Sequence, residues 1–324
     1  MAIVFMGTPA FALPSLRRLV ADGHQITAVY TQPDRPAGRG RHARPSPVKV
    51  AAQELGLPLR QPPALRDPAA LADLAALRPQ VIVAVAYGQI LRQEVLDIPP
   101  RGVLNTHPSL LPPHRGPSPI PAAILAGDDT TGVTIMLMDA GMDTGPILAQ
   151  SSIPIQDSDT AASLSDELSH LAAGLLGDTL LHWLNNDIQP RPQDDSHASK
   201  APLLRKEHGA IDWTAAAVNI WRQVRAYNPW PGAHTALDGE LIHIWQAWPL
   251  EGDSGRQPGT VVPLTDGQRR ALPPGSGPDS FAVQTGRGLL AVLLVQRAGR
   301  RPLPPGDFLR GMRDIFGRRL VSPK

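Results

Sequence analysis

Asn105 and His107 stand two residues apart in the run Gly102-Val103-Leu104-Asn105-Thr106-His107, which reads as a β-strand. Residues i and i+2 of a strand share a face, so a neutral donor and an ionisable ring project side by side beyond the strand's carboxyl end. Further on, Asp139-Ala140-Gly141-Met142-Asp143-Thr144-Gly145 forms a glycine-flanked loop able to bring the Asp143 carboxylate to the His107 ring. A carboxylate beside a histidine favours the imidazolium and fixes its orientation. An amide and a protonated imidazole are suitable donors to a developing oxyanion, and the Asp–His pair is a route for a proton. Each residue alone has a structural reading: Asn105 as a turn cap, His107 as a satisfied strand-end histidine, Asp143 as an Asx-turn residue. Their joint placement is what points to chemistry.

The elements that position them begin with an apolar strand, Ala2–Met6, followed by Thr8 as an N-cap with Pro9 at the first helical position. Phe11, Leu16, Leu19 and Val20 carry that helix to Gly23, and a second strand runs from Gln25 to Thr31. Later strands are expected at Val81–Ala86, Gly102–His107 and Thr131–Met138, with helical patterns such as Asp67–Leu77 between them. Near-continuous apolar strands separated by helices predict an α/β, Rossmann-like, mostly parallel sheet covered on both faces. In such a sheet, ligands bind beyond the carboxyl ends of the strands. An amphipathic stretch from Asp157 to about Leu184 closes this domain, read as residues 1–186. The polar stretch 187–204 reads as a linker. Beyond it, a helix around Trp213–Arg225 precedes short β-type runs at Ala233–Leu237, Leu241–Trp248, Gly259–Val262, Phe281–Thr285 and Leu289–Gln296. They predict a small OB-like barrel over 205–317, with a helix carrying Phe308, Leu309, Met312, Ile315 and Phe316 and a tail at 318–324.

Composition narrows the chemistry. The 324 residues contain no cysteine, which excludes thiolate catalysis, disulfides and cysteine-ligated zinc. The ten histidines are scattered without ligand-type spacing near carboxylates, so no metal is expected. No apolar run approaches the length of a membrane span, and the start lacks the basic, then apolar, pattern of a signal peptide. The cytoplasm is therefore the expected location, and a monomer is expected because no helix shows a spare apolar face. The 36 prolines concentrate in loops and read as stiffened turns. Residues 1–200 carry 15 Lys+Arg against 19 Asp+Glu, whereas 201–324 carry 16 against 10. That asymmetry points either to an anionic partner across the second part or to an ordinary basic surface.

Three pieces in order resemble the signature of the folate-dependent formyltransferase family: Asn105-Thr106-His107, Ser109-Leu110-Leu111-Pro112 and Asp139-Ala140-Gly141-Met142-Asp143-Thr144-Gly145. The resemblance extends from about Ile3 to Arg313. It implies that Asn105, His107 and Asp143 are catalytic and that Ser109, Leu110, Leu111 and Pro112 line a folate site. Tyr87, Gly88 and Ile90, in the stretch Ala86–Leu91, are implied to read the pterin. The implied formyl donor is 10-formyltetrahydrofolate, and the acceptor an amine.

Two further stretches choose among acceptors. Thr31–Lys49, with Arg35, Arg39, Arg41, Arg44 and Lys49 against the single acid Asp34, resembles the loop by which the tRNA-directed branch grips an acceptor end. Such a charge balance suits phosphates. Arg205-Lys206-Glu207, Ile211-Asp212-Trp213 and Arg225–Pro231 resemble that branch's C-terminal part, with Lys206 a tRNA contact. The implied partner is methionyl initiator tRNA; the alternative is a sister enzyme acting on a sugar nucleotide or other small amine. Pro113-His114 before Arg115-Gly116, and Pro117-Ser118 after it, depart from the family, whose members often carry an aromatic residue and two alanines there. A nicotinamide-dependent dehydrogenase is disfavoured because Gly7-Thr8-Pro9-Ala10-Phe11 lacks Gly-x-Gly-x-x-Gly. A non-catalytic RNA-binding module leaves Asn105, His107 and Asp143 unexplained.

Overall fold

Ile3, Val4, Phe5 and Met6 are fully buried, as an unbroken apolar run must be when helices cover both faces of a parallel sheet. They form an interior strand in the computed structural model, which describes residues 2–36, 43–277, 279–312 and 314–323. The chain divides into two units. One comprises Met1–Pro119, Asp129–Pro154 and Leu164–Pro202; the other comprises Ile120–Asp128, Ile155–Ser163 and Leu203–Lys324. The stretch 187–202 thus belongs to the first unit, and 318–323 to the second.

The first unit holds a seven-stranded sheet. Its strands are β1 (Ala2–Gly7), β2 (Gln25–Tyr30), β3 (Leu59–Arg60), β4 (Val81–Val85), β5 (Val103–His107), β6 (Thr130–Leu137) and β7 (Ile147–Pro154). The spatial order is β3-β2-β1-β4-β5-β6-β7, parallel from β3 to β5 and antiparallel at the last two pairings. The chain runs outward from β1 through β2 to β3, then returns to the other side of β1 with β4. The switch point lies between β1 and β4, where ligands of such sheets bind.

Thr8 is not the helix cap expected from Thr8-Pro9. Its hydroxyl donates to Tyr87 O across the switch point at 2.8 Å, and a 3-10 turn at Ala10–Ala12 precedes the helix Leu13–Ala21. The helix Pro68–Ala76 is capped by Asp67, whose carboxylate accepts from Ala69 N. A helix over Pro47–Glu54, unforeseen in the basic loop, starts at Ser46, whose hydroxyl accepts from Lys49 N at 3.1 Å, with Pro47 in the first turn. The long helix runs from Ala161 to Leu184, not from Asp157. Thr160 and Ser163 cap it reciprocally, each hydroxyl accepting the other's amide.

The second unit contains a curled antiparallel sheet, OB-like, of five strands. These are β8 (His234–Leu237), β9 (Glu240–Leu250), β10 (Val261–Pro263), β11 (Phe281–Gln284) and β12 (Leu289–Arg297), in the order β8-β9-β12-β11-β10. The helix Ala217–Ala226 buries Ile220, Trp221 and Val224 in its core, and Phe281 stacks on Phe308 at 5.9 Å. Val321 pairs with Ala236 of β8, so the final residues run along the sheet. No helix among the described residues is long and apolar enough to cross a membrane.

Candidate active site

β5 ends on Asn105, Thr106 and His107, at the same edge of the sheet as the switch point. His107 is only 4% exposed. Its Nε2 lies 3.0 Å from His114 O and its Nδ1 lies 3.6 Å from Asp143 Oδ2. Asp143 Oδ1 accepts from Asn105 Nδ2 at 3.5 Å, and Asp143 Oδ2 accepts from Gly116 N at 2.8 Å. The structure therefore brings Asn105, His107 and Asp143 together.

The loop that delivers Asp143 is built from its own sequence. Asp139 Oδ1 accepts from Gly141 N at 3.0 Å and from Thr144 Oγ1 at 2.7 Å, forming an Asx turn. Asp143 takes a left-handed conformation, φ 55°. Gly145 packs so closely that a Cβ there would fall 1.8 Å from Leu137 O. Gln193 reaches the loop from the stretch read as a linker, its Nε2 donating to Asp143 O at 2.9 Å and Gly145 O at 2.7 Å.

Burial pulls the His107 pKa below the ordinary histidine value, against the upward pull of Asp143 and of the His114 carbonyl. Two opposing influences therefore act on the ring: burial favours its neutral form, whereas the Asp143 carboxylate favours the imidazolium expected from that neighbour. In the neutral form, donation of Nε2–H to His114 O leaves the lone pair on Nδ1. A proton arriving there meets the Asp143 carboxylate, so the pair is arranged to take up a proton.

Ser109, Leu110, Leu111 and Pro112 form the turn directly after β5. Ser109 is fully buried; its hydroxyl donates to Pro113 O at 2.8 Å, and its carbonyl accepts from Thr134 Oγ1 at 2.7 Å. Leu111 packs with Met136 and Ile147, and the Leu111–Pro112 peptide is cis. Gln150 ties the turn down by donating to Leu111 O at 2.9 Å. Tyr87 points into the core beside Val4 and Met6, so its backbone rather than its ring is presented at the switch point. Ala86 and Gly88, both left-handed, line an open cleft of about 390 Å³ there, together with Thr8, Gln32, Arg44 and Ser46. Ile90 is 88% exposed and is not among the residues lining that cleft.

Of the basic residues, Arg39 and Arg41 lie outside the described residues. Arg44 is exposed, in a two-residue ladder with Arg35–Pro36, and lines the cleft. Lys49 is committed to Asp34 at 2.7 Å, and hydrogen bonds from Lys49 and Gln61 hold the Asp34 carboxyl below its ordinary pKa. Lys206 is exposed in a 3-10 turn of the second unit. No group of three or more His, Asp or Glu side chains able to hold a metal occurs among the described residues.

A Rossmann-like sheet with these polar groups at its switch edge, joined to an OB-like unit, defines a class to which known proteins can be compared. The chain belongs to the formyl transferase family: the family's main model matches residues 1–180, and the model of its C-terminal domain matches residues 203–313. Among curated relatives, it is 49% identical to the methionyl-tRNA formyltransferase of Roseiflexus sp. (strain RS-1), over 98% of this chain and 94% of that one. It is 48% identical to the methionyl-tRNA formyltransferase of Chloroflexus aurantiacus, over 96% of this chain and 97% of that one. Solved structures share the fold at lower identity. An N-formyltransferase from Helicobacter canadensis, in complex with folinic acid and dTDP-3-aminofucose, superposes with a TM-score of 0.64 at 17% identity, covering 90% of this chain and 98% of that one. HypX from Aquifex aeolicus, in complex with tetrahydrofolic acid, gives 0.62 at 19% identity; the alignment covers 97% of this chain but only 48% of that longer one.

Proposed function

We propose that this chain transfers the formyl group of 10-formyltetrahydrofolate to the α-amino group of methionine on initiator tRNA, giving formylmethionyl-tRNA for translation initiation in the cytoplasm. Similarity at 49% and 48% identity over nearly the whole chain supports the acceptor. The observation that carries the chemistry is the convergence of Asn105, His107 and Asp143. Residues 1–186 would perform the reaction and 205–317 would hold tRNA, aided by Arg39, Arg41, Arg44 and Lys206. Lys49, paired with Asp34, would order the loop more than grip phosphate.

The donor fits the backbone cradle at Ala86–Gly88, where two left-handed residues line the open cleft. Those residues would hold it; the turn at 109–112 and Ile90, assigned to folate by the resemblance, are not among the residues lining the cleft. When bound, the folate supplies the activated formyl group. The uncharged methionyl amine forms a bond to the formyl carbon, and the bond from that carbon to the folate nitrogen breaks. Asn105 donates a hydrogen bond to the formyl oxygen as negative charge develops there; one such donor is worth about 2.7–4 kcal/mol of barrier. Neutral His107 takes the proton lost by the amine, and Asp143 stabilises the resulting imidazolium. The same proton can then pass to the departing nitrogen, which balances the reaction.

The test compares acceptors under one set of conditions. Labelled formyl from 10-formyltetrahydrofolate should appear on charged initiator tRNA. Preferential transfer to an amino-sugar nucleotide would establish the sister activity instead.

A further inference from the structure

We infer that Gln193, outside the catalytic group, is a positioning residue that holds Asp143 in its working place, linking the polar stretch after the long helix to the reaction proposed above. Both hydrogens of its amide are used on the Asp143 loop, at 2.9 Å to Asp143 O and 2.7 Å to Gly145 O. Its Oε1 is used as well, accepting from Arg115 Nε at 3.1 Å and from a terminal nitrogen of the same guanidinium at 2.8 Å. The amide therefore has one orientation: a flip would set its NH₂ against the guanidinium and its oxygen against two carbonyls.

The contacts close a circuit. Arg115 precedes Gly116, whose amide donates to Asp143 Oδ2 at 2.8 Å. Asp143 is thus gripped by its carboxylate from one side and by its carbonyl from the other, and Gln193 joins the two grips. The grip matters because Asp143 adopts a left-handed backbone, φ 55°, which a non-glycine residue keeps only when its surroundings enforce it.

Gln193 is itself anchored. Arg191, two residues before it, exchanges both backbone hydrogen bonds with Ile147 at 2.8 and 2.9 Å. Beyond it, Ser199 O accepts from Arg115 N at 2.9 Å, and Ser199 Oγ accepts from His114 N at 3.0 Å. The stretch clasps the active-site loops on both sides of Gln193. The Arg115–Asp195 ion pair is a lesser tie, since the Asp195 side chain is 83% exposed.

The experiment uses the full-length protein and three variants. Gln193→Leu removes the hydrogen bonds to the Asp143 loop and to Arg115 at similar volume. Gln193→Glu keeps the acceptor for Arg115 but loses both donors to the loop. Arg115→Lys loosens the same amide from its far side. Each should lower kcat about 10- to 100-fold while leaving KM for folate and tRNA within about twofold of wild type. A second readout follows the His107 ring by NMR. The charged and titratable groups facing it are Asp143 and His114, and displacing Asp143 should lower its titration midpoint further. Unchanged kcat and His107 titration in Gln193→Leu and Gln193→Glu, or a loss of thermal stability alone, would overturn the inference. A wild-type protein that transfers no formyl group would instead overturn the functional reading, and the His107 titration would still decide the role of Gln193.

Discussion

Asp143 Oδ2 lies 3.6 Å from His107 Nδ1 while accepting the Gly116 amide at 2.8 Å, so one carboxylate oxygen faces the histidine and is fixed by backbone. Its other oxygen faces Asn105 Nδ2 at 3.5 Å. A carboxylate held by main chain has little freedom to follow a mobile ligand, and the ring is oriented by it rather than the reverse.

Asp143→Asn keeps the shape and removes the charge. It should cut kcat about 10²- to 10⁴-fold with little change in melting temperature, as read by steady-state kinetics beside calorimetry. Near-wild-type turnover would remove Asp143 from the reaction.

The protonation state of His107 can be measured directly. Burial lowers its pKa, so its NMR titration should have a midpoint below the ordinary value of about 6.5. Burial of the ring also makes stability depend on pH. The neutral buried ring contributes fully above the unfolded-state value, and that contribution is lost as pH falls through the lowered folded-state value. A midpoint above the ordinary value would restore the imidazolium as the resting form.

Gly116→Ala should be damaging far beyond its one added carbon. The residue has φ 123°, and a Cβ would fall 2.6 Å from Ala201 O. The cost should be about 1–3 kcal/mol in urea denaturation. The displaced amide should also slow turnover by weakening its hold on Asp143. Wild-type stability and rate together would contradict this account.

Arg44 and Lys49 should differ on the salt axis. Arg44→Ala should lower the magnitude of the log–log salt slope of tRNA binding by about 0.7–0.9, one phosphate contact. Lys49→Met should leave that slope nearly unchanged, because its ammonium is already paired with Asp34. Equal effects in a filter-binding series would show that the Asp34 pair opens on binding.

The elements carrying the chemistry were legible because they obey local rules. The apolar run of β1, the strand ending on Asn105 and His107, and the glycine-flanked Asp143 loop each announce themselves within a few residues. Features depending on distant partners were not. β7 is a sheet edge with one exposed face, so Gln150, Ser151 and Ser152 give it little apolar signature. The helix Pro119–Ala126 hides behind prolines that a first turn tolerates. Gln193, between Pro192 and Asp194, looks like linker because its role consists of hydrogen bonds to residues about fifty and eighty positions earlier. The balance of influences on the His107 ring is hidden for the same reason. Its acidic neighbour is visible in the sequence, whereas the burial that outweighs it is not.

The most direct test is single-turnover transfer of labelled formyl from 10-formyltetrahydrofolate to methionyl initiator tRNA by wild type, Asn105→Ala and His107→Ala. Wild type should transfer to the charged tRNA, and each variant should be slower by about 10²-fold or more while still binding folate and tRNA. Rates in the variants equal to wild type would contradict the central claim that these side chains carry the reaction.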